Sequence, residues 1–193
     1  GATEFDPVSG GTTTLAVGTP AGFAVPNTSS DVYYHTSLIA TVSAPRVLVN
    51  FSTEPTATRV GEDLQVPVYV SLEAAPPEAV AIAIDSDNGA RARTAITETG
   101  AGSPSVVLTG VDSTGYRIVW IQGISQGQSA TVTLSAPGYA SGSILVNVDP
   151  SGFVTTTQDF LTTTTSSNES IAIVAARLES GTGRFVETQE VRG

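Results

Sequence analysis

The sequence has no cysteine, no methionine and no lysine, and only one tryptophan and one histidine in 193 residues. Without cysteine there are no disulfides, no thiolate metal ligands and no cysteine nucleophile. Without lysine, lysine-dependent isopeptide cross-links are excluded. Stability must come from packed cores, strand ladders, a bound metal or neighbouring units. Charge is sparse, at 13% of residues, and one-sided: the net charge is −10 and all eight basic residues are arginine. With no basic cluster the chain is unsuited to nucleic acid, whose phosphates need grouped Lys or Arg. It is equally unsuited to anionic lipid. No run of about 18 apolar residues is present, so no segment reads as inserting into a membrane. No signal peptide is visible, and position 1 is not methionine. The chain therefore reads as an internal fragment or a processed mature protein.

What is present is 40% apolar content, enough for a core, spread among Thr, Ser, Val, Ala and Gly. Thr and Val are stiff at the first side-chain torsion and favour strands. No segment carries a helical period. Leu64, Val66, Val68, Val70 and Leu72 alternate with polar residues, and so do Ala130, Val132 and Leu134. Val80, Ile82 and Ile84 form a further apolar face, as do Tyr116, Ile118 and Trp120, and Ile144, Val146 and Val148. Alternation of period two places one face on a core and the other in water. Trp120 is read on this basis as the centre of a core. Turn signals such as Asp87-Asn88-Gly89 and Ala136-Pro137-Gly138 separate these runs. Short strands with regular turns predict an all-β fold and a β-sandwich.

The chain also repeats itself. Thr19-Pro20-Ala21-Gly22-Phe23 is matched by Asp149-Pro150-Ser151-Gly152-Phe153. Ser37 to Val42, ahead of Arg46, is matched by Ser170 to Val174, ahead of Arg177. Thr56 to Gly61 is matched by Thr188 to Gly193. The three matches keep their order at an offset of roughly 130 residues. This predicts three parts: a β-unit over 1–46 that is a partial repeat, a sandwich over 47–148, and a second copy of the first pattern over 149–193.

The central part resembles the bacterial immunoglobulin-like domains that occur in tandem in surface and secreted proteins. Val66 to Leu72 looks like their early core strand, and Ala79 to Ile84 like the next. Gly127 to Tyr139, followed by Ser143 to Val148, looks like the last two strands. Residues 98–115 are longer than that pattern needs. The resemblance implies an immunoglobulin-like sandwich, and a spacer or adhesive role outside the cell. It implies nothing catalytic.

Few residues suggest a site. His35 is the sole histidine, and a Ser-His-Asp triad would have to be built around it. The second copy of its segment is Thr-rich and lacks histidine, which argues against catalysis. Asp85-Ser86-Asp87-Asn88-Gly89 places alternate acidic oxygens ahead of a glycine, as calcium loops do. Asp85, Asp87 and Asn88 are the candidate ligands, and calcium is the one ion the run suggests. The competing reading is a turn whose Asp and Asn side chains bond their own backbone, with Gly89 left-handed. Arg91 and Arg93 read as cross-strand partners of an acid such as Glu98. Adjacent strand residues point opposite ways, so one of Tyr33 and Tyr34 should face outward; both are candidate contacts for a ligand. Three Asn-x-Ser matches, at Asn27, Asn50 and Asn168, arise easily by chance in such a chain and place nothing.

The reading that results is a non-enzymatic, extracellular or cell-surface structural element with no cofactor, a spacer, stalk or filament piece. Its partners are neighbouring repeats or copies of itself. The alternatives are an adhesive module that binds glycan or protein, and an accessory domain of a secreted polysaccharide-active enzyme.

Overall fold

The computed structural model describes residues 4–5, 10–28 and 34–193. They contain fifteen strands and no helix. The chain divides into two compact units, Gly1–Ala44 and Pro45–Gly193.

The first unit holds one two-stranded antiparallel sheet. Strand β1 (Gly11–Ala16) pairs with β2 (Ser37–Val42) from Gly11↔Val42 to Ala16↔Ser37. All of β1 is exposed. Leu38 and Ile39 are 55% and 71% exposed, so this sheet closes no core of its own among the described residues.

The second unit is built on two packed sheets, as the alternating runs require. One has the order β4-β11-β10-β6-β8. Its strands are β4 (Thr56–Gly61), β6 (Val80–Ser86), β8 (Ser105–Val111), β10 (Ala130–Ser135) and β11 (Gly142–Asp149). The other has the order β15-β5-β9-β7, with β3 also paired to β5. Its strands are β3 (Val47–Val49), β5 (Leu64–Leu72), β7 (Ala92–Ala95), β9 (Arg117–Gly123) and β15 (Glu190–Val191). The nine residues of β5 are served along one edge by two short strands. β15 pairs at Leu64 and Gln65, and β3 pairs at Val70 to Leu72. Pairing is antiparallel except for β4, which runs parallel to β11 from Thr56↔Ile144 to Gly61↔Asp149.

Ile82, Ile84, Val132, Leu134, Ile144 and Val146 from the first sheet meet Leu64, Val68, Val70, Leu72, Val119 and Ile121 from the second. Burying side chains of this size stabilises by about 1.5–3 kcal/mol each relative to exposure. The structure corrects one of the predicted faces. In β9 the core residues are Val119 and Ile121, each 1% exposed, while Tyr116, Ile118 and Trp120 lie on the opposite, outer face. Both faces of this strand are apolar, and the smaller β-branched pair fits between the sheets.

A third sheet has the order β12-β13-β14, from β12 (Ser151–Thr155), β13 (Ile173–Leu178) and β14 (Phe185–Thr188). β12 follows β11 after only Pro150, and Ala175 on β13 joins the main core.

Candidate functional site

Charged and polar side chains converge where β4, β11, β13 and the residues leading into β15 meet. Asp149, last in β11, is 3% exposed. Its Oδ1 accepts from Arg59 Nη2 at 2.6 Å; its Oδ2 accepts from Arg59 Nε and from Arg177 Nη1, both at 2.7 Å. The fork from Arg59 is bidentate, the strongest geometry an arginine offers a carboxylate. Arg177 also donates through Nε to Glu187 Oε1 at 3.0 Å. Burial pushes the Asp149 carboxyl up, but the hydrogen bonds and charges of Arg59 and Arg177 outweigh it, and it titrates below the ordinary carboxylate range. A group held ionised in this way is an anchor. Proton transfer near neutral pH needs the opposite shift.

Backbone and side chains extend the junction. Gln189 Oε1 accepts from Gly61 N at 2.8 Å, and its Nε2 donates to Arg59 O at 3.0 Å. Ser151 Oγ donates to Glu62 O at 2.5 Å, and Glu62 N donates to Asp149 O at 2.9 Å. Arg192 donates through N to Asp63 O and through Nε to Asp63 Oδ1, at 3.1 and 2.9 Å. Asp63 sits at φ 61°, a left-handed conformation that Asp tolerates better than most residues. The two segments related in sequence, 56–61 and 188–193, therefore lie side by side and are bonded to each other. We refer to this junction as the clasp.

At its far end a second pair of acids meets. Burial, the nearby Glu98 carboxylate and a hydrogen bond with it raise the Glu190 carboxyl, while Gln65 opposes them. A raised acid favours the folded state below its unfolded value, near 4.3, and loses that contribution as pH rises through the folded value. Glu190→Gln is thus expected to raise the melting midpoint at pH 7, by no more than about 2 °C because the group is exposed and screened. The gain should vanish below about pH 4. Paired melts at pH 7 and 3.5 check this.

The other residues singled out from sequence fall elsewhere. Asp85 Oδ1 accepts from Ser105 Oγ at 2.5 Å, and Asp87 Oδ1 accepts from Thr131 N at 2.8 Å. Asn88 O accepts from the amides of Arg91 and Ala92, which makes the run a turn. Gly89 is not left-handed. Its role is space: a Cβ there would stand 2.5 Å from Pro104 Cβ. No group of three or more His, Cys, Asp or Glu is placed to hold a metal among the described residues. Arg91 donates to Ser125 Oγ and Gln126 O, and Arg93 to Gly89 O, so neither pairs with Glu98. Tyr34 is 72% exposed; Tyr33 lies outside the described residues. His35 is exposed and lines a shallow hollow of the first unit with Leu15, Val17 and Leu38. Sequence reasoning missed the clasp. Its one trace was the echo of 56–61 in 188–193, which gave no sign that the two would touch.

No protein-family model and no curated protein matches the chain. Among solved structures it is similar to domains 4 and 5 of the S-layer protein SbsC, at 20% identity and a TM-score of 0.39, covering 58% of each chain. Against domains 4–9 of the same surface layer protein the identity is 18% and the TM-score 0.40, covering 79% of this chain and 23% of that one. A two-domain protein of unknown function from Bacteroides fragilis gives 8% identity and a TM-score of 0.32, covering 57% of this chain and 55% of that one. The chain thus spans about three fifths of the first of these and a quarter of the second. Scores this low do not carry a function from those proteins to this chain.

Proposed function

We propose that this chain is a non-catalytic structural element of a bacterial cell-surface or secreted assembly, a load-bearing spacer built from serial β-units. The clasp carries this reading. Within residues 45–193 it bonds Thr56–Gly61 to the sequence-related segment 188–193, so tension between the ends of this unit is carried by Asp149, Arg59, Arg177 and Gln189 rather than by a free linker. Repeat arrays work in this way, each unit touching mainly its neighbours. We hold the sandwich to be of the immunoglobulin-like kind, with β4 parallel to β11 at its edge. It departs from that pattern after β7, where β8 returns to pair with β6.

The first unit points to partners made of the same chain. A two-stranded sheet is marginal alone in water, and Val17, Phe23 and Val25 are 74%, 74% and 79% exposed. Contact with another copy would cover them. Light scattering over a concentration series tests this: the mean mass is expected to rise with concentration. A mass fixed at one chain over the whole series would remove assembly and leave a spacer that acts alone.

A further inference from the structure

We propose that the outer edge of β8 is a contact between two copies of this chain, which pair there as antiparallel strands about a two-fold axis. This names an interface beyond the first unit, whose exposed side chains are other residues. An edge strand offers a row of unpaired N–H and C=O groups, and proteins ordinarily cover or blunt it. The edges of the sandwich are dealt with one by one. Along β5 the edge is taken by β3 and β15; between them Asn50 N donates to Tyr69 O, Tyr69 N donates to Asn50 Oδ1, and Pro67 has no N–H to offer. Beyond β7, Thr94 and Ser103 exchange both of their backbone bonds at 2.9 Å. Outside β4, the Gln189 side chain stands in for a strand, bonding Arg59 O and Gly61 N.

β8 has no such cover. It ends its sheet and pairs only with β6. Ser86 N donates to Pro104 O at 2.8 Å, and the register sets Asp85 against Ser105, Ile84 against Val106 and Ile82 against Leu108. Hydrogen-bonded pairs alternate along an antiparallel ladder, so Val106 and Leu108 turn their backbone groups toward β6. Ser105, Val107 and Thr109 turn theirs outward. Ser105 N donates to Ser103 Oγ at 3.3 Å. The N–H and C=O of Val107 and Thr109 meet no partner among the described residues. The side chains of Ser105, Val107 and Thr109 are exposed, Val107 by 50%.

Charge and geometry select the partner and the register. The chain carries a net charge of −10, yet Ser105 to Val111 holds no ionisable side chain. Two copies can meet at this edge without setting carboxylate against carboxylate, which destabilises a strand pair. The open stretch is bounded by Pro104, which has no N–H, and by Gly110, at φ 69°, opposite the place where the β6 register shifts. Its middle residue is Val107. Laid antiparallel on itself, the stretch puts Val107 opposite Val107 and Ser105 opposite Thr109 of the other copy, with the outward groups of each strand facing those of the other. That arrangement forms about six backbone hydrogen bonds, and the contact is isologous, as a two-fold dimer requires. Ser105 Oγ donates to Asp85 Oδ1 and keeps lone pairs to accept from Thr109 of the other copy.

Because the chain has no cysteine, one introduced thiol at a time reports the register. In Val107→Cys the two Cα atoms stand about 5.5 Å apart across the axis, inside the roughly 4.4–6.8 Å that a disulfide spans. Under mild oxidation this variant of the full chain is expected to form a covalent dimer that reductant dissolves. Thr109→Cys should stay monomeric, since its two copies lie about 14 Å apart, whereas an equal mixture of Ser105→Cys and Thr109→Cys should cross-link. Val107→Pro removes an unbonded N–H and leaves the β6 ladder whole, as edge positions allow. In light scattering its mean mass at high concentration should fall below that of the wild type. Two results would overturn the proposal: Val107→Cys that cross-links no faster than Thr109→Cys, and a Val107→Pro mass equal to wild type at every concentration. In the second case a mass that still rises leaves the contact through the first unit standing, and a mass fixed at one chain removes both.

Discussion

Asp149→Ala is expected to destabilise residues 45–193 by about 2–3 kcal/mol and to lower their melting midpoint by roughly 5–10 °C. Removing one partner of a fully buried ion pair costs about 3–5 kcal/mol, because the remaining charge is left without compensation. Here the two partners differ. The Arg59 side chain is 53% exposed and rehydrates when its carboxylate is gone, whereas Arg177 is 11% exposed and does not. The effect should therefore rank Asp149→Ala above Arg177→Ala, and Arg177→Ala above Arg59→Ala. Asp149→Asn keeps the shape and one acceptor but not the charge, and should fall between wild type and Asp149→Ala. The pH dependence follows from the lowered carboxyl. Its contribution is present above the unfolded Asp value, near 3.9, and is lost as pH falls through the lower folded value. Wild type and Asp149→Ala should differ fully at pH 7, and the difference should shrink as pH falls through that lowered value. Thermal melts over a descending pH series check the ranking and the narrowing. Coincident melts at pH 7 would mean that the clasp holds nothing.

Gly123→Ala should cost as much, about 3 kcal/mol, by a different route. Gly123 ends β9 where the backbone of residues 61–63 crosses it. A Cβ there would stand 2.3 Å from Gly61 O and 3.1 Å from Gly61 C. Backbone atoms cannot swing aside as a side chain does, so the crossing must open. That strains the bond from Asp63 N to Gly123 O, now 3.0 Å. Gly138 provides the control. It has φ +80° and open space where a Cβ would go, so Gly138→Ala meets conformational strain alone, about 1 kcal/mol. Because Gly123 and Asp149 serve the same junction, the double variant should lose less than the sum of the two single losses. Denaturant midpoints for the three variants check this; a Gly123→Ala midpoint equal to that of Gly138→Ala would contradict the crossing geometry.

Much of the sandwich was legible in the sequence, because one-sided alternation leaves a single reading. Ile144, Val146 and Val148 alternate with Ser143, the exposed Leu145, Asn147 and Asp149, and all three point into the core. β9 was misread because it is apolar on both sides. Period two identifies the strand but not which side faces inward, and packing chose Val119 and Ile121 over Trp120. That ambiguity had content, since the outer face keeps large apolar side chains in water, with Ile118 41% and Tyr116 53% exposed. The clasp was illegible for another reason. Its bonds join residues far apart in sequence, such as Arg59 with Asp149 and Gly61 with Gln189. A buried Asp or Gln of this kind looks in sequence like any solvated turn residue. The acidic run at 85–89 shows the converse: a pattern suggestive of a metal, whose oxygens accept from Ser105 and Thr131.

The central claim is that the clasp makes residues 45–193 a single load-bearing block, and stretching the full chain by its two ends in single-molecule force spectroscopy tests it most directly. The expected result is one rupture that releases contour length on the order of 500 Å, at a force that drops in Asp149→Ala. Release of residues 149–193 as a separate, smaller step at low force, with the sandwich yielding later and Asp149→Ala indistinguishable from wild type, would contradict it.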